Sequence, residues 1–251
     1  MHPVECHDPF VGATDRKTYS SPSCLADRFG QIRGLTKSLC DPLAVEDFGV
    51  QSMPEASPVK WHLAHTTWFF ETFVLAGARA NYQPFQPRYR YLFNSYYDAI
   101  GDRWPRERRG LLSRPTVAEV LQYRAHVDSR ILALLASVEA ELPQPLADAL
   151  VLGLHHEQQH QELILTDIKH AFACNPLRPV YQNPVAVSAH RVAPIDWFCE
   201  SAGVHEIGHN GSGFAFDNEL PLHRQYLNAF TIANRLTTNG EYLAFMEDDG
   251  Y

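Results

Sequence analysis

Residues 154–163 read LHHEQQHQEL and concentrate the side chains best suited to metal chemistry. His156 and His160 are four positions apart, so on a helix their imidazoles lie on one face and can bind one ion. Leucine and isoleucine on both sides predict burial, and buried imidazoles need partners, which favours a metal over a polar helix face. His155 points about 100° away, and Glu162 about 200° away from His160. We therefore expect neither to ligate the same ion, and assign Glu162 a supporting or interhelical role.

A third ligand has to come from another part of the chain. His65 shares a helical stripe with Trp61 and Trp68, which should face the core, and is our first choice. His62 lies about 60° off that stripe and is the second choice. Three imidazoles with open coordination positions suit zinc, iron or copper, and ligand type alone does not select among these metals.

The same stretch contains HEQQH, the HExxH pattern of zinc peptidases, with Glu157 in the position of the general base. The longer form of that motif is not met, because Leu163 and Thr166 occupy its glycine and third histidine positions. No glutamate occurs between residues 163 and 199 to serve as a downstream ligand. A zinc hydrolase is therefore the least favoured interpretation.

Four helices are predicted to position these histidines. They are a helix with Leu25, Phe29, Ile32, Leu35 and Leu39 on one face, a helix from Ser57 (N-cap) and Pro58 to about Gly77, a helix after the Thr116–Glu119 capping box, and a helix over about 146–173. Their lengths and connections predict a mainly α fold with a four-helix bundle. Residues 80–115 form a long connection, and long connections are often functional.

The remaining chain changes character. Residues 1–21 are expected to be a flexible arm before the bundle at 22–174, and the four prolines in 175–195 indicate a linker. Residues 196–251 alternate β-like pieces with turns and include a capping box at Thr238–Glu241. This last segment predicts the beginning of an α+β domain.

Composition limits the function further. The formal net charge of −8 gives no electrostatic support for a nucleic-acid partner. No apolar run is long enough for a membrane span, and no signal peptide is recognised. The five cysteines are scattered, so we expect free thiols and a cytoplasmic protein. The composition indicates no particular oligomeric state.

Several segments in order resemble the ergothioneine-biosynthesis sulfoxide synthases (EgtB-like proteins). They are WHLAH (61–65), FNSYYDAIGDRWPR (93–106), RGLLSRP (109–115), HHEQQHQEL (155–163), GFAFDNELPLH (213–223) and LTTNGEYLAFMEDDGY (236–251). The resemblance implies a DinB-like four-helix bundle joined to a C-type-lectin-related, formylglycine-generating-enzyme-like domain.

The resemblance also implies a site and a reaction. His65, His156 and His160 would hold non-heme Fe(II), and Gln159 would contact hercynine (trimethylhistidine). The family joins hercynine to a low-molecular-weight thiol, γ-glutamylcysteine or cysteine, with O₂, and forms a sulfoxide. Arginines near the site could bind substrate carboxylates. The candidates are Arg103, Arg106, Arg108 and Arg109, with Tyr96 and Tyr97 as candidate pocket residues.

This sequence differs from the family in length, because the family's second domain continues past the segment that ends here at Tyr251. We therefore expect a C-terminally truncated chain whose second domain is incomplete, and assign no catalytic residue, since the family's catalytic tyrosine would lie beyond Tyr251. Two alternatives remain open beside the sulfoxide synthase: a selenium-using relative (a selenoneine-type synthase) and a non-catalytic metal-binding bundle.

Overall fold

The computed structural model describes residues 21–79, 81–95, 101–139, 141–183, 192–211 and 213–251. The chain divides into two compact units, Met1–Pro184 and Val185–Tyr251. The predicted arm falls outside the described residues except for its last residue, Ser21, and Tyr96 and Tyr97 also lie outside them.

The first unit is a four-helix bundle. Its long helices are α1 (Pro22–Ser38), α2 (Val59–Phe69), α4 (Val117–Ala136) and α5 (Gln144–Cys174), with a short α3 (Tyr89–Phe93) in the connection before α4. Turns of 3₁₀ helix occupy Val45–Gly49 and Arg106–Leu111. α1 and α2 each pack against both α4 and α5. The prediction of a mainly helical unit built as a four-helix bundle is confirmed.

The starts of α4 and α2 in the bundle differ in how well they match the prediction. Thr116 caps α4, and the side chain of Glu119 bonds back to its backbone N–H, so this capping box is confirmed. The predicted N-cap of α2 is wrong by one residue, because Pro58 occupies that position. Ser57 instead uses its hydroxyl to accept from Arg109 and its backbone N–H to donate to Asp167. The contact with Arg109 engages the Ser57 hydroxyl, which therefore does not cap α2.

The inward face of α1 also differs from the apolar stripe. Leu25 and Phe29 are buried as expected, but Leu35 is 51% exposed. Arg33 and Thr36 take the inward positions, since both bind the buried carboxylate of Glu157 on α5. An internal ionic partner therefore overrides the local apolar pattern.

Beyond Phe69 the helical path of α2 continues as a π-helical segment, Phe70–Leu75, and ends with an α-helical turn, Ala76–Ala78. The prediction of a helix ending near Gly77 is correct in extent, although the widened turn was not expected. Glu71 in this segment is buried and accepts hydrogen bonds from Tyr82, Tyr123 and the backbone of Phe85. π-Helical turns within α-helices often occur near functional sites.

The second unit contains two antiparallel strand pairs. β1 (Trp197–Glu200) pairs with β4 (Phe230–Ala233), and β2 (Gly203–Ile207) pairs with β3 (His223–Leu227). Helix α6 (Asn239–Glu247) follows, and the predicted capping box at Thr238 is confirmed. The further classification of this unit as formylglycine-generating-enzyme-like stays a prediction, as do the domain limits at 174, 195 and 196.

None of the described helices combines the length and apolar character that crossing a membrane would require.

Gly153 allows α5 to approach the continuation of α2. A Cβ atom there would lie 2.5 Å from a ring carbon of Phe70 and 2.9 Å from one of Phe69. We expect Gly153→Ala to destabilise the protein by about 1–3 kcal/mol through overpacking, as measured by urea unfolding.

Gly34→Ala is the matched control, because a Cβ at Gly34 on α1 meets nothing within 4 Å. It should stabilise the protein by up to about 1 kcal/mol through helix propensity. Equal effects of the two substitutions would contradict the close approach at Gly153.

Candidate metal centre

Three imidazoles meet where α2 packs against α5. His65 comes from α2, and His156 and His160 come from α5 one helical turn apart. The Nε2 atom of His156 lies 3.2 Å from Nε2 of His65 and 3.1 Å from Nε2 of His160. These three residues are a cluster that could hold a metal ion, with one ligand atom from each within 4.8 Å of the others. The structure thus brings together the three histidines that the sequence selected.

The orientation of His65 is set by α3. Its Nδ1 lies 2.5 Å from the carbonyl oxygen of Phe93, which can only accept a hydrogen bond. Phe93 is the last residue of α3, where helix carbonyls have no partner within the helix. His65 therefore carries its proton on Nδ1 when neutral, and its Nε2 presents a lone pair to the cluster.

Aromatic stacking holds the same ring in place. The indole of Trp61 stacks on His65 with ring centroids 4.5 Å apart and planes 14° apart, and Trp68 stacks at 5.8 Å and 19°. The guanidinium of Arg109 lies 3.4 Å from the centroid of the Trp61 ring. Residues at positions i, i+4 and i+7 of α2 thus form a stripe around the candidate ligand, as the sequence predicted.

His160 is held by a hydrogen-bonded chain. Its Nδ1 lies 2.8 Å from Nδ1 of His62, whose Nε2 lies 3.0 Å from Oδ2 of Asp167. His62, the second choice as a ligand, therefore lies behind His160. Both of its ring nitrogens are engaged there, away from the three converging Nε2 atoms.

The imidazoles are neutral at physiological pH. Burial lowers the pKa of His65 and of His160 well below the usual value, and lowers that of His156 to about 4. Neutral imidazole is the form that ligates metals.

The spacing of the nitrogens also fits an ion. Two nitrogens about 2.1 Å from one ion are about 3.0 Å apart at a right angle and about 3.4 Å apart at the tetrahedral angle. The distances from His156 Nε2 lie between these values. With the proton of His65 on Nδ1, its Nε2 lone pair faces Nε2 of His156. The donor set therefore fits a transition-metal cation.

Glu157 faces away from this cluster and cannot act as the general base of a zinc peptidase. Its side chain is fully buried and accepts from Arg33 (2.9 Å), Thr36 (2.6 Å) and Arg124. Burial opposes its ionisation, but the two guanidinium groups lower the pKa of Glu157 to about 2. A carboxylate held by two cations is a poor proton acceptor, so the structure gives the HExxH interpretation no support.

Other predicted residues lie outside the cluster. Glu162 is exposed, so its expected interhelical role is wrong: it lies on the solvent face of α5. Gln159 is also exposed, one turn after His156, and Arg103, Arg106 and Arg108 are exposed. Arg109 differs, since its guanidinium is buried and donates to Ser57 Oγ and Ser95 Oγ. Arg109 therefore supports Trp61 and Ser57.

Sequence reasoning missed several supporting residues. Asp167 lies seven positions after His160, on the same face of α5, and this spacing could have identified it. Phe93 contributes only a backbone carbonyl, which residue type does not reveal. Arg33 and Arg124 reach Glu157 from other helices, and no local pattern indicates that contact.

The bundle that carries the cluster has relatives among known proteins. Residues 28–164 match the DinB superfamily, and since this match covers more than half of the chain, the chain belongs to that superfamily.

Three curated relatives are similar to this chain in sequence. The chain is similar to hercynine oxygenases from Mycobacterium tuberculosis (28% identity over 236 residues) and Mycolicibacterium thermoresistibile (29% over 205). It is also similar to ergothioneine biosynthesis protein 1 of Neurospora crassa (29% over 162). These matches cover 92%, 79% and 60% of the chain, and 52%, 42% and 17% of the respective relatives. The chain thus spans about half the length of the mycobacterial relatives. The predicted resemblance to proteins of ergothioneine biosynthesis is confirmed by these matches.

Glu157→Ala would leave Arg33 and Arg124 buried without their shared carboxylate. We expect a loss of about 3–5 kcal/mol in the free energy of unfolding, measured by urea denaturation.

Glu162→Ala, the same substitution on the exposed face of α5, should change stability by less than about 0.5 kcal/mol. A small effect of Glu157→Ala would show that Glu157 does not hold the bundle together.

Proposed function

We propose that this chain carries an Fe(II) centre for an O₂-dependent sulfoxide synthase reaction in ergothioneine biosynthesis. The substrates would be hercynine and a low-molecular-weight thiol, γ-glutamylcysteine or cysteine. The observation that carries the proposal is the convergence of three Nε2 atoms from His65, His156 and His160. The relatives named hercynine oxygenase and ergothioneine biosynthesis protein 1 supply the substrate and the pathway.

The proposed reaction balances in atoms and electrons. The imidazole C2–H bond of hercynine and the S–H bond of the thiol break, and a C2–S bond forms. One atom of O₂ becomes the sulfoxide oxygen, and the other leaves as water with the two hydrogens. Forming the C–S bond and oxidising the sulfur each remove two electrons, which together reduce O₂.

The choice of iron rests on the resemblance and on the oxygenase names, because three imidazoles also suit zinc and copper. When bound, Fe(II) supplies the means to reduce O₂ and to favour the thiolate form of a thiol that it coordinates. Three neutral imidazoles, those of His65, His156 and His160, would hold the ion without cancelling its charge and would leave coordination positions for substrates.

The residues of the chain perform the positioning. Trp61 and Trp68 fix the plane of His65 and keep that side of the cluster apolar. We place Gln159 in contact with hercynine, since it is exposed and lies between the two α5 histidines in sequence. An amide offers both a donor and acceptors to an imidazole or carboxylate.

Iron binding is the first test. The protein should bind one Fe(II) per chain under anaerobic conditions, as measured by competition with a chromophoric chelator. His156→Ala should weaken this binding by more than about 100-fold, because it removes a ligand rather than a supporting residue. His155→Ala, adjacent on α5 but off the metal face, is the matched control and should bind iron normally.

Turnover is the second test. The iron-loaded protein is mixed with hercynine, γ-glutamylcysteine or cysteine, and ¹⁸O₂, and products are analysed by mass spectrometry. A sulfoxide carrying one ¹⁸O supports the proposal. Iron binding without any sulfoxide would favour the non-catalytic metal-binding bundle, and absence of iron binding would refute the proposed centre. Preference for a selenium donor over both thiols would assign the chain to the selenium-using alternative.

A further inference from the structure

We propose that His62 and Asp167 are positioning residues for the metal centre, acting through His160. Asp167 holds His62 with its proton on Nε2, and His62 holds His160 with its proton on Nδ1. The Nε2 lone pair of His160 is thereby directed at the ion. The inference rests on the proposed function only in taking the three converging histidines as metal ligands.

The hydrogen-bonded chain begins at Asp167. Its Oδ2 atom accepts the backbone N–H of Ser57 at 2.8 Å and lies 3.0 Å from Nε2 of His62. An ionised carboxylate can only accept hydrogen bonds, and the backbone N–H of Ser57 already donates to Oδ2. The nitrogen of His62 that faces it must therefore carry the proton.

The position of the proton on His62 determines the position of the proton on His160. With a proton on Nε2, a neutral His62 has a lone pair on Nδ1, 2.8 Å from Nδ1 of His160. A hydrogen bond between two imidazole nitrogens requires one proton, and His160 must supply it. His160 then has its own lone pair on Nε2, the atom 3.1 Å from Nε2 of His156.

The opposite arrangement would disable the ligand. If His62 donated from Nδ1, His160 would accept on Nδ1 and carry its proton on Nε2, where a metal could not bind. Asp167 opposes this arrangement. Its carboxylate already accepts the N–H of Ser57, and it would then face a second acceptor, the Nε2 lone pair of His62. The start of α2 therefore determines the tautomer of a histidine on α5, through two side chains that are 2% exposed (His62) and 8% exposed (Asp167).

The three candidate ligands are supported differently. Nδ1 of His65 faces the carbonyl of Phe93, and Nδ1 of His160 faces His62. Within the described residues, Nδ1 of His156 is buried and has no hydrogen-bond partner. Of the three, only His160 has its Nδ1 atom against another imidazole ring. Its tautomer is therefore the one that a side-chain substitution can reverse.

The first experiment reads the tautomer in the metal-free protein. In ¹⁵N-histidine-labelled protein, two-bond ¹H–¹⁵N correlations should show His160 protonated on Nδ1. A free, neutral histidine side chain favours the Nε2–H form instead. His62→Leu removes the acceptor and should return His160 to the Nε2–H form. His62→Asn offers an amide oxygen near the former Nδ1 position and should restore the Nδ1–H form. His155→Leu is the matched control and should leave His160 unchanged.

The second experiment measures metal affinity with Co(II), whose visible absorption reports binding. His62→Leu should weaken Co(II) binding about 10–100-fold, and His62→Asn should recover most of that loss. Asp167→Ala should weaken binding in the same direction. In the His62→Leu background it should have no further effect, because Asp167 acts through His62.

The outcomes separate the two proposals. Normal Co(II) affinity in His62→Leu, or an unchanged Nδ1–H tautomer of His160 in that variant, would overturn the positioning role. Additive effects of Asp167→Ala and His62→Leu on Co(II) affinity would overturn the inference that Asp167 acts through His62. Failure of the unaltered protein to bind either Fe(II) or Co(II) would overturn the proposed centre instead. Thermal unfolding of each metal-free variant identifies any loss of affinity that comes from misfolding.

Discussion

The contact between α5 and its neighbours depends on one buried carboxylate. Glu157 joins α5 to Arg33 and Thr36 on α1 and to Arg124 on α4, and Arg33 also pairs with Asp128. Such a cluster tolerates little rotation or sliding of the helices, since a shifted helix would leave charges buried and unpaired. His156 is the preceding residue, so the ionic cluster and the imidazole cluster share one segment of helix. The same segment of α5 therefore contributes both to the stability of the bundle and to the positions of the candidate metal ligands.

Packing around Gly153, one helical turn before Glu157 on α5, has a similar effect. The rings of Phe69 and Phe70 occupy the space that a side chain would fill, and Phe69 also contacts the ring of His156 at 4.9 Å. The α2 helix thus contributes His65 and also forms the apolar wall beside a second ligand. The match to the DinB superfamily ends at residue 164, so Asp167 lies just beyond the matched region, whereas His62 and His160 lie within it.

Sequence alone was sufficient for the features governed by local spacing. The i, i+4 pair His156 and His160, the stripe that places His65 inward, and the capping boxes at Thr116 and Thr238 all follow from helical geometry. The remaining features depend on partners distant in sequence. Leu35 is exposed because Arg33 and Thr36 face Glu157, more than 120 positions away. Ser57 does not cap α2 because Arg109 and Asp167 engage it. Periodicity cannot reveal such pairings, and these are the contacts that support the site.

The stacking of Trp61 and Trp68 on His65 gives the protein an internal optical reporter. The chain contains four tryptophans, and these two are buried with their rings against a candidate ligand. Trp197 is 61% exposed and belongs to the second unit. Buried and exposed indoles emit at different wavelengths, and a paramagnetic ion beside His65 would quench chiefly the blue-shifted pair. Occupancy of the centre and unfolding of the bundle can then be distinguished by fluorescence without any added label.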